Sequence, residues 1–253
     1  HLGGVMVGGD VAVRNGWRVG GALGYTDGKI WQDDRNASAE TQSWSVSVYG
    51  GRAIPMGDAR ALNVKAGAAY SWHELDTKRR VTVNQANQKL EADRRASTTQ
   101  IFGEVGYEFP VSAKLSLEPF VGAAWIDQRM RGFAEKGGSA AVNGDSANQQ
   151  VTTTTAGLRA RGEWEVQGRP VGAFISGGWR HAFGDVDPKS RLQFQGSQEF
   201  TVAGTPVAKN AFVTEFGADV AITPNTRIGA SYAGQFGKGS RDHAGMINIR
   251  WSF

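Results

Sequence analysis

Four histidines, His1, His73, His181 and His243, are the residues of this 253-residue chain best suited to hold a metal ion or move a proton. No pair has the helical spacing of a zinc motif. Cysteine is absent, which excludes thiolate ligands, thiol nucleophiles and disulfides. Each histidine reads as a strand-end or interface residue, so neither a metal nor a cofactor is expected. The segment "NGDSA" at 143–147 contains Gly-Asp-Ser, a possible hydrolase nucleophile. A nucleophile elbow needs a strand, a sharp turn and a helix, and this segment lies in polar loop sequence. "GKGSRD" lacks the Gly-Lys-Ser/Thr ending of a phosphate-binding loop and the helix that follows one. No Ser, His and Asp signal a common site. No catalytic residue is assigned, and the chain is not expected to be an enzyme. Its net charge is +4, but Lys and Arg are scattered among Asp and Glu apart from "KRR" at 78–80. A nucleic-acid footprint needs clustering, so no nucleic-acid partner is expected.

The remaining chemistry is ionic, and the elements that carry it have period two. In "LSLEPFVGAAW", Leu115, Leu117, Pro119, Val121, Ala123 and Trp125 alternate with Ser116, Glu118, Phe120, Gly122 and Ala124. "TTAGLRARGEW" and "RIGASYAGQF" behave likewise. Such alternation signals strands rather than helices. Eleven strands are predicted, at about 2–14, 17–32, 40–53, 60–80, 97–109, 115–131, 151–165, 169–183, 209–222, 226–237 and 243–253. Many exceed the usual five or six residues and suit a tilted strand crossing a bilayer, which needs about 9–11. No apolar run approaches the roughly 18 residues of a membrane helix, and no secretory leader is readable, so a mature chain or a fragment is expected.

The connections alternate as well. "NG" (15–16), "PMGD" (55–58), "VSAK" (111–114), "VQG" (166–168) and "PN" (224–225) are tight turns. Between them lie long polar segments, "DGKIWQDDRNASA", "TKRRVTVNQANQKLEADRRAS", "AEKGGSAAVNGDSANQQ" and "DVDPKSRLQFQGSQEFTVAGTPVAK". Short turns on one side and long loops on the other describe an outer-membrane barrel. A soluble sandwich or lipocalin-like barrel would instead turn its apolar face inward and leave the charges as a solvated surface. The expected fold is therefore an all-β, transmembrane, antiparallel up-and-down β-barrel spanning residues 1–253 as one domain. Its lumen is expected to carry Asp10, Arg18, Lys65, Glu104, Glu118, Arg159, Arg161, Glu215, Asp219 and Arg250 among small residues. Its aromatic girdle is expected to be Trp17, Trp44, Trp72, Tyr107, Trp125, Trp164, Trp179, Tyr232 and Trp251.

The chain ends "GMINIRWSF", with Ile247, Ile249, Trp251 and Phe253 on one face and Asn248, Arg250 and Ser252 on the other. A barrel closes by pairing its last strand with its first, and bacterial single-chain barrels have even strand counts. Eleven readable strands thus predict a missing first strand and twelve in the intact domain. Segment 191–206 is expected to be an outward extension or a folded-over loop.

The run "GVMVGGDVAVRNGWRVGGALGYTDG" resembles the start of autotransporter translocator domains. "LSLEPFVGAAW", "GFAEKGG" (Gly132, Phe133, Glu135), "GWRHAFGD", "SYAGQFGKGSRDHAG" and the terminal Phe253 continue the similarity over essentially the whole chain. The resemblance implies a twelve-stranded pore, monomeric and integral to the outer membrane of a Gram-negative cell, acting in type V secretion. It implies as partners the lipid bilayer, an N-terminal passenger with a linker helix in the pore, and the barrel-assembly machinery. It also implies that Phe253, Trp251, Ile249 and Ile247 form a C-terminal assembly signal. A linker helix is not visible in this sequence. The alternatives are a passive porin, or an outer-membrane enzyme or adhesin acting through its loops.

Overall fold

A computed structural model describes residues 1–32, 37–83 and 85–253. Fifteen strands follow in chain order: β1 (Leu2–Ala12), β2 (Trp17–Gln32), β3 (Ala37–Pro55), β4 (Ala61–Val83), β5 (Ala86–Ser112), β6 (Leu115–Met130), β7 (Phe133–Ala134), β8 (Val142–Gly144), β9 (Ala147–Val166), β10 (Arg169–Gly184), β11 (Lys189–Phe194), β12 (Glu199–Ala203), β13 (Asn210–Thr223), β14 (Thr226–Gly237) and β15 (Ser240–Trp251). Eleven of them make one curled antiparallel sheet in the order β1-β2-β3-β4-β5-β6-β9-β10-β13-β14-β15, with each strand beside its predecessor in the wall. This is the up-and-down arrangement that the eleven alternating runs anticipate. Among the described residues β1 pairs only with β2, and β15 only with β14.

Turn chemistry fixes one rim. Asn15 (φ 62°) and Gly16 (φ 73°) turn β1 into β2, while Gln167 (φ 52°) and Gly168 (φ 73°) turn β9 into β10. Positive φ at both central residues matches the twist of a tight hairpin, and Asn and Gly tolerate it best.

The opposite rim departs from expectation where segments read as long polar loops are strand. The polar segment "TKRRVTVNQANQKLEADRRAS" is not a loop, because β4 and β5 stay paired residue by residue out to Val83 and Ala86. The segment between β14 and β15 closes in a two-residue turn at Lys238-Gly239. Segment 191–206 carries β11 and β12, which join β8 and β7 in a separate four-stranded sheet of order β12-β11-β8-β7. That sheet adds nothing to the wall count. The "DGKIWQDDRNASA" segment is mostly strand, and its positions 33–36 lie outside the described residues.

Candidate functional site: the inner wall and the outer cap

Directly opposed residues share a face of a sheet. Tracing them across the wall (Asp10 with Gly20, Gly20 with Tyr49, Tyr49 with Gly67, Lys65 with Glu104, Glu104 with Gly122, Gly122 with Thr155) sorts every strand into two faces. The tracing continues through Arg159 with Ser176, Ser176 with Glu215, Glu215 with Ala233 and Ser231 with Met246. Asp10, Arg18, Lys65, Glu104, Glu118, Arg159, Arg161, Glu215, Asp219 and Arg250 fall on one face. Trp17, Trp44, Trp72, Tyr107, Trp125, Trp164, Trp179, Tyr232 and Trp251 fall on the other. The charged face is the concave one: a cavity of about 450 Å³ is lined by Glu104, Arg159, Arg180, Glu215, Gln235 and Asp242 among others, from seven strands between β5 and β15.

The register gathers part of the charged set into one network. Glu118, only 1% exposed at its side chain, accepts hydrogen bonds from Asn63 Nδ2 (3.0 Å) and Arg159 Nη1 (3.0 Å), and lies 2.6 Å from Arg161 Nη1. Arg159 also reaches Glu104 (3.0 Å), which accepts from Lys65 Nζ (3.2 Å). Glu108 takes bonds from Ser116 Oγ (2.7 Å) and Asn63 Nδ2 (3.0 Å), with Arg161 3.5 Å away. A carboxylate this buried needs its charge and lone pairs satisfied together, and both arginines and the amide do so. Gly106 makes the space, since a Cβ there would collide with the Glu118 carboxylate. The Arg159 guanidinium lies 4.6 Å from the centre of the Phe120 ring.

Elsewhere on the inner face the ions stand in simple pairs, Asp10 with Arg18 and Asp219 with Arg227. Glu215 and Arg250 form no ion pair among the described residues. Arg180 reaches Gln235 Oε1 (2.7 Å) across β13. Asn63, Glu108, Ser116, Arg180, Arg227 and Gln235 are functional-looking positions that the sequence analysis does not single out. Their parity was readable, but which of them meet is decided by register.

The histidines are dispersed. His73 sits between Ser43 Oγ (2.7 Å) and Thr98 Oγ1 (3.0 Å), His181 beside Asn210 (2.8 Å) and His243 beside the Tyr232 hydroxyl (2.6 Å). Among the described residues no three metal-binding side chains cluster. Gly144, Asp145 and Ser146 lie at the end of β8, where β9 follows rather than a helix. At the carboxyl end, Ile247, Ile249, Trp251 and Phe253 are exposed, and the Ser252 N–H donates to the Asn225 carbonyl (2.9 Å).

Outside the wall, the far ends of β4 and β5 and the four-stranded sheet build a cap. The loop after β6 lies along the concave-parity side of the hairpin. Glu135 accepts from Arg79 Nε (2.8 Å) and Nη2 (2.6 Å) and from the Val142 N–H (3.0 Å). The Arg94 guanidinium stacks 3.5 Å from the Phe133 ring centre. Gln88 holds Ser139 and the Ala140 N–H, and Glu91 and Lys136 exchange backbone hydrogen bonds. Beneath this cover Leu90 is fully buried, with Ala92 and Val142 nearly so. Burial pushes the Glu135 carboxyl up, but the bonds from Arg79 and Val142 and the charges of Arg79 and Arg94 outweigh it, holding the group below the usual range. The "GFAEKGG" stretch is thus a clasp that ties the loop to the hairpin.

Comparison with known proteins agrees with this architecture. Residues 1–233 match the Autotransporter beta-domain family. The chain is 30% identical over 251 residues to an extracellular serine protease of Serratia marcescens, covering 99% of this chain but 23% of that protein. The chain therefore spans about a quarter of the length of the curated relatives it matches. Its fold is similar to the translocator domain of the autotransporter NalP from Neisseria meningitidis (TM-score 0.75, 18% identity, covering 98% of this chain and 78% of that one). It is also similar to the transport unit of AIDA-I from Escherichia coli (TM-score 0.66, 21% identity, covering 98% and 81%). With a polar concave face, an apolar convex face and this match over most of its length, the chain belongs to the autotransporter β-domain family and is an integral outer-membrane translocator barrel.

Proposed function

We propose that this barrel anchors an N-terminal passenger in the outer membrane and carries it to the cell surface. The observation that carries the reading is the concave wall, where charges are mutually neutralised around Glu118 and interspersed with glycine. Such a face is hydrated and low in adhesion, so an extended peptide slides past it without a deep binding site. Free backbone edges on β1 and β15 favour one further strand, upstream of His1, that completes a twelve-stranded barrel. A linker in the pore, assembly by the barrel-assembly machinery and action as a monomer belong to the same reading. So do the girdle role of the convex-face aromatics and the assembly-signal role of Phe253, Trp251, Ile249 and Ile247. The protease name carried by the Serratia relatives belongs to those whole proteins, and no catalysis is assigned to the barrel.

The test uses the full precursor in intact Gram-negative cells. The upstream portion should be accessible to external protease when residues 1–253 are present and inaccessible when they are deleted. An upstream portion that stays inside although the barrel is assembled would contradict the reading. So would a large solute-selective conductance of the intact precursor in planar bilayers. Deleting Phe253 should lower membrane insertion more than it lowers the stability of barrel already folded, whereas equal losses would count against an assembly signal.

A further inference from the structure

The four-stranded sheet of the cap has one covered side and one open side. Its β7 side is tied to β5 through the Glu91–Lys136 bridge. Its β12 side, Glu199–Ala203, has no partner beyond β11 among the described residues. The ladder determines which groups remain. The Gly204 N–H donates to the Pro188 carbonyl, and the Asp145 N–H to the Arg191 carbonyl on the other side of β11. Alternation then makes Val202 with Ser190 and Phe200 with Leu192 the bonded pairs. The N–H and C=O groups of Glu199, Thr201 and Ala203 therefore point away from the sheet, unpaired.

Natural edges are blunted by Lys, Pro, bulges or inward charges. Within "EFTVA" the one such device is Glu199, at the first position. The side chains strengthen the point. Phe200 and Val202 share a face with Leu192 and Phe194, whose ring stacks on Phe200 at 5.3 Å. On the β8 side this apolar face runs under the hairpin, but at β12 the cover has ended, leaving Phe194 40% and Val202 42% exposed. An open edge alongside an uncovered apolar strip is the geometry of strand addition: main-chain bonds supply affinity and alternate side chains supply selectivity.

We infer that β12 is a docking edge for an extended segment of the exported passenger, which adds as a fifth strand with alternate apolar residues over Phe200 and Val202. This rests on the translocator reading above. The occupant follows from position and length. The cap stands at the long-loop rim, opposite the tight Asn15-Gly16 and Gln167-Gly168 turns. The curated relatives carry most of their length outside the matched region, and a polypeptide delivered past the wall emerges unpaired beside this edge. The first paired strand gives the emerging chain a template on which its own β-structure grows.

The test uses the full precursor during export. A photoreactive residue at position 201 should crosslink to the passenger. Thr201→Pro removes an outward N–H without touching the β11–β12 ladder. It should delay protease-resistant passenger at the surface about fivefold, the factor of one net hydrogen bond. Thr201→Ala, which keeps the N–H, should not. Normal surface delivery with no crosslink and an unchanged Thr201→Pro rate would overturn the docking edge while leaving the translocator reading intact. A crosslink to a second copy of this chain would replace passenger docking with edge-to-edge association. Passenger that never reaches the surface in the parent would overturn both.

Discussion

The β4–β5 hairpin holds two regions with opposite rules. Between Leu62 and Trp72 the convex side of β4 is apolar (Leu62, Val64, Ala66, Ala68, Tyr70, Trp72) and the concave side carries Asn63, Lys65, Ser71 and His73. From Glu74 outward the rule reverses. The convex side becomes Glu74, Asp76, Lys78 and Arg80, and the concave side becomes Leu75, Thr77, Arg79 and Val81. β5 does the same, with Tyr107, Val105 and Ile101 on the convex side giving way to Arg95, Asp93, Glu91 and Lys89. The ladder is continuous through the reversal, so the backbone does not cause it. The solvent does: hydrocarbon outside and a wet lumen inside favour one pattern, while water outside and a covered interior favour the other. We infer that the reversal at Trp72–Glu74 marks the membrane surface, since an aromatic followed on the same face by charge is the expected signature of that boundary.

The comparison can be broken in both regions. The largest expected effect is in the wall. Glu118→Ala leaves Arg159 and Arg161 without their shared carboxylate, and refolding into detergent or lipid should lose about 3 kcal/mol. Glu118→Gln should lose less, because it keeps acceptor geometry. On the convex side, Ile101→Arg faces hydrocarbon and should cost roughly 2–4 kcal/mol, whereas Glu91→Arg, on the same face beyond the reversal, should cost within about 0.5 kcal/mol. Equal costs at the two positions would remove the boundary. Leu90→Ala empties the cap core and should loosen only the cap, by about 2 kcal/mol. Limited proteolysis should then cut within 77–97 while the folded wall keeps its heat-modifiable mobility on gels.

The smallest effects are electrostatic. Glu135 has a folded-state pKa below its unfolded value, so its contribution is present above the unfolded value and lost as pH falls through the depressed folded one. Asp76 has the opposite sign. Burial first, then its hydrogen bond with the facing Asp93 and that residue's charge, raises its carboxyl. Its protonation favours the fold on acidification, and at neutral pH its ionised form works against the hairpin. Asp76→Asn should therefore slow proteolysis of the cap slightly at pH 7 and do nothing once pH is below the carboxylate range. Glu135→Gln should speed cap proteolysis at pH 7 and lose that effect in acid. Identical pH profiles for the two variants would contradict the opposed signs.

The same comparison explains what could be read from the sequence. The eleven wall strands were legible because every one alternates against a single pair of solvents, and Asn15-Gly16 announced its own turn. The hairpin extension was not. Between Thr77 and Ser97 the alternation continues with its sides exchanged, so a reader tracking one apolar face sees only a polar segment. The short strands β7, β8, β11 and β12 are too brief to show a period at all. Within the inner wall, parity put Glu118, Arg159 and Arg161 on one face. That Asn63, Glu108 and Ser116 complete their network depends on register across four strands, which local sequence does not encode.

The most direct test of the reversal uses the absence of cysteine from the chain. Single cysteines from 62 to 82 along β4 would be labelled with a membrane-impermeant maleimide on assembled protein in outer membranes. Even positions 62–72 should resist labelling while odd positions 63–73 react through the lumen, with the order exchanged from 74 outward, where the even positions 74–80 react and 75 and 81 resist. Even positions below 72 that label as readily as those above 74 would contradict it.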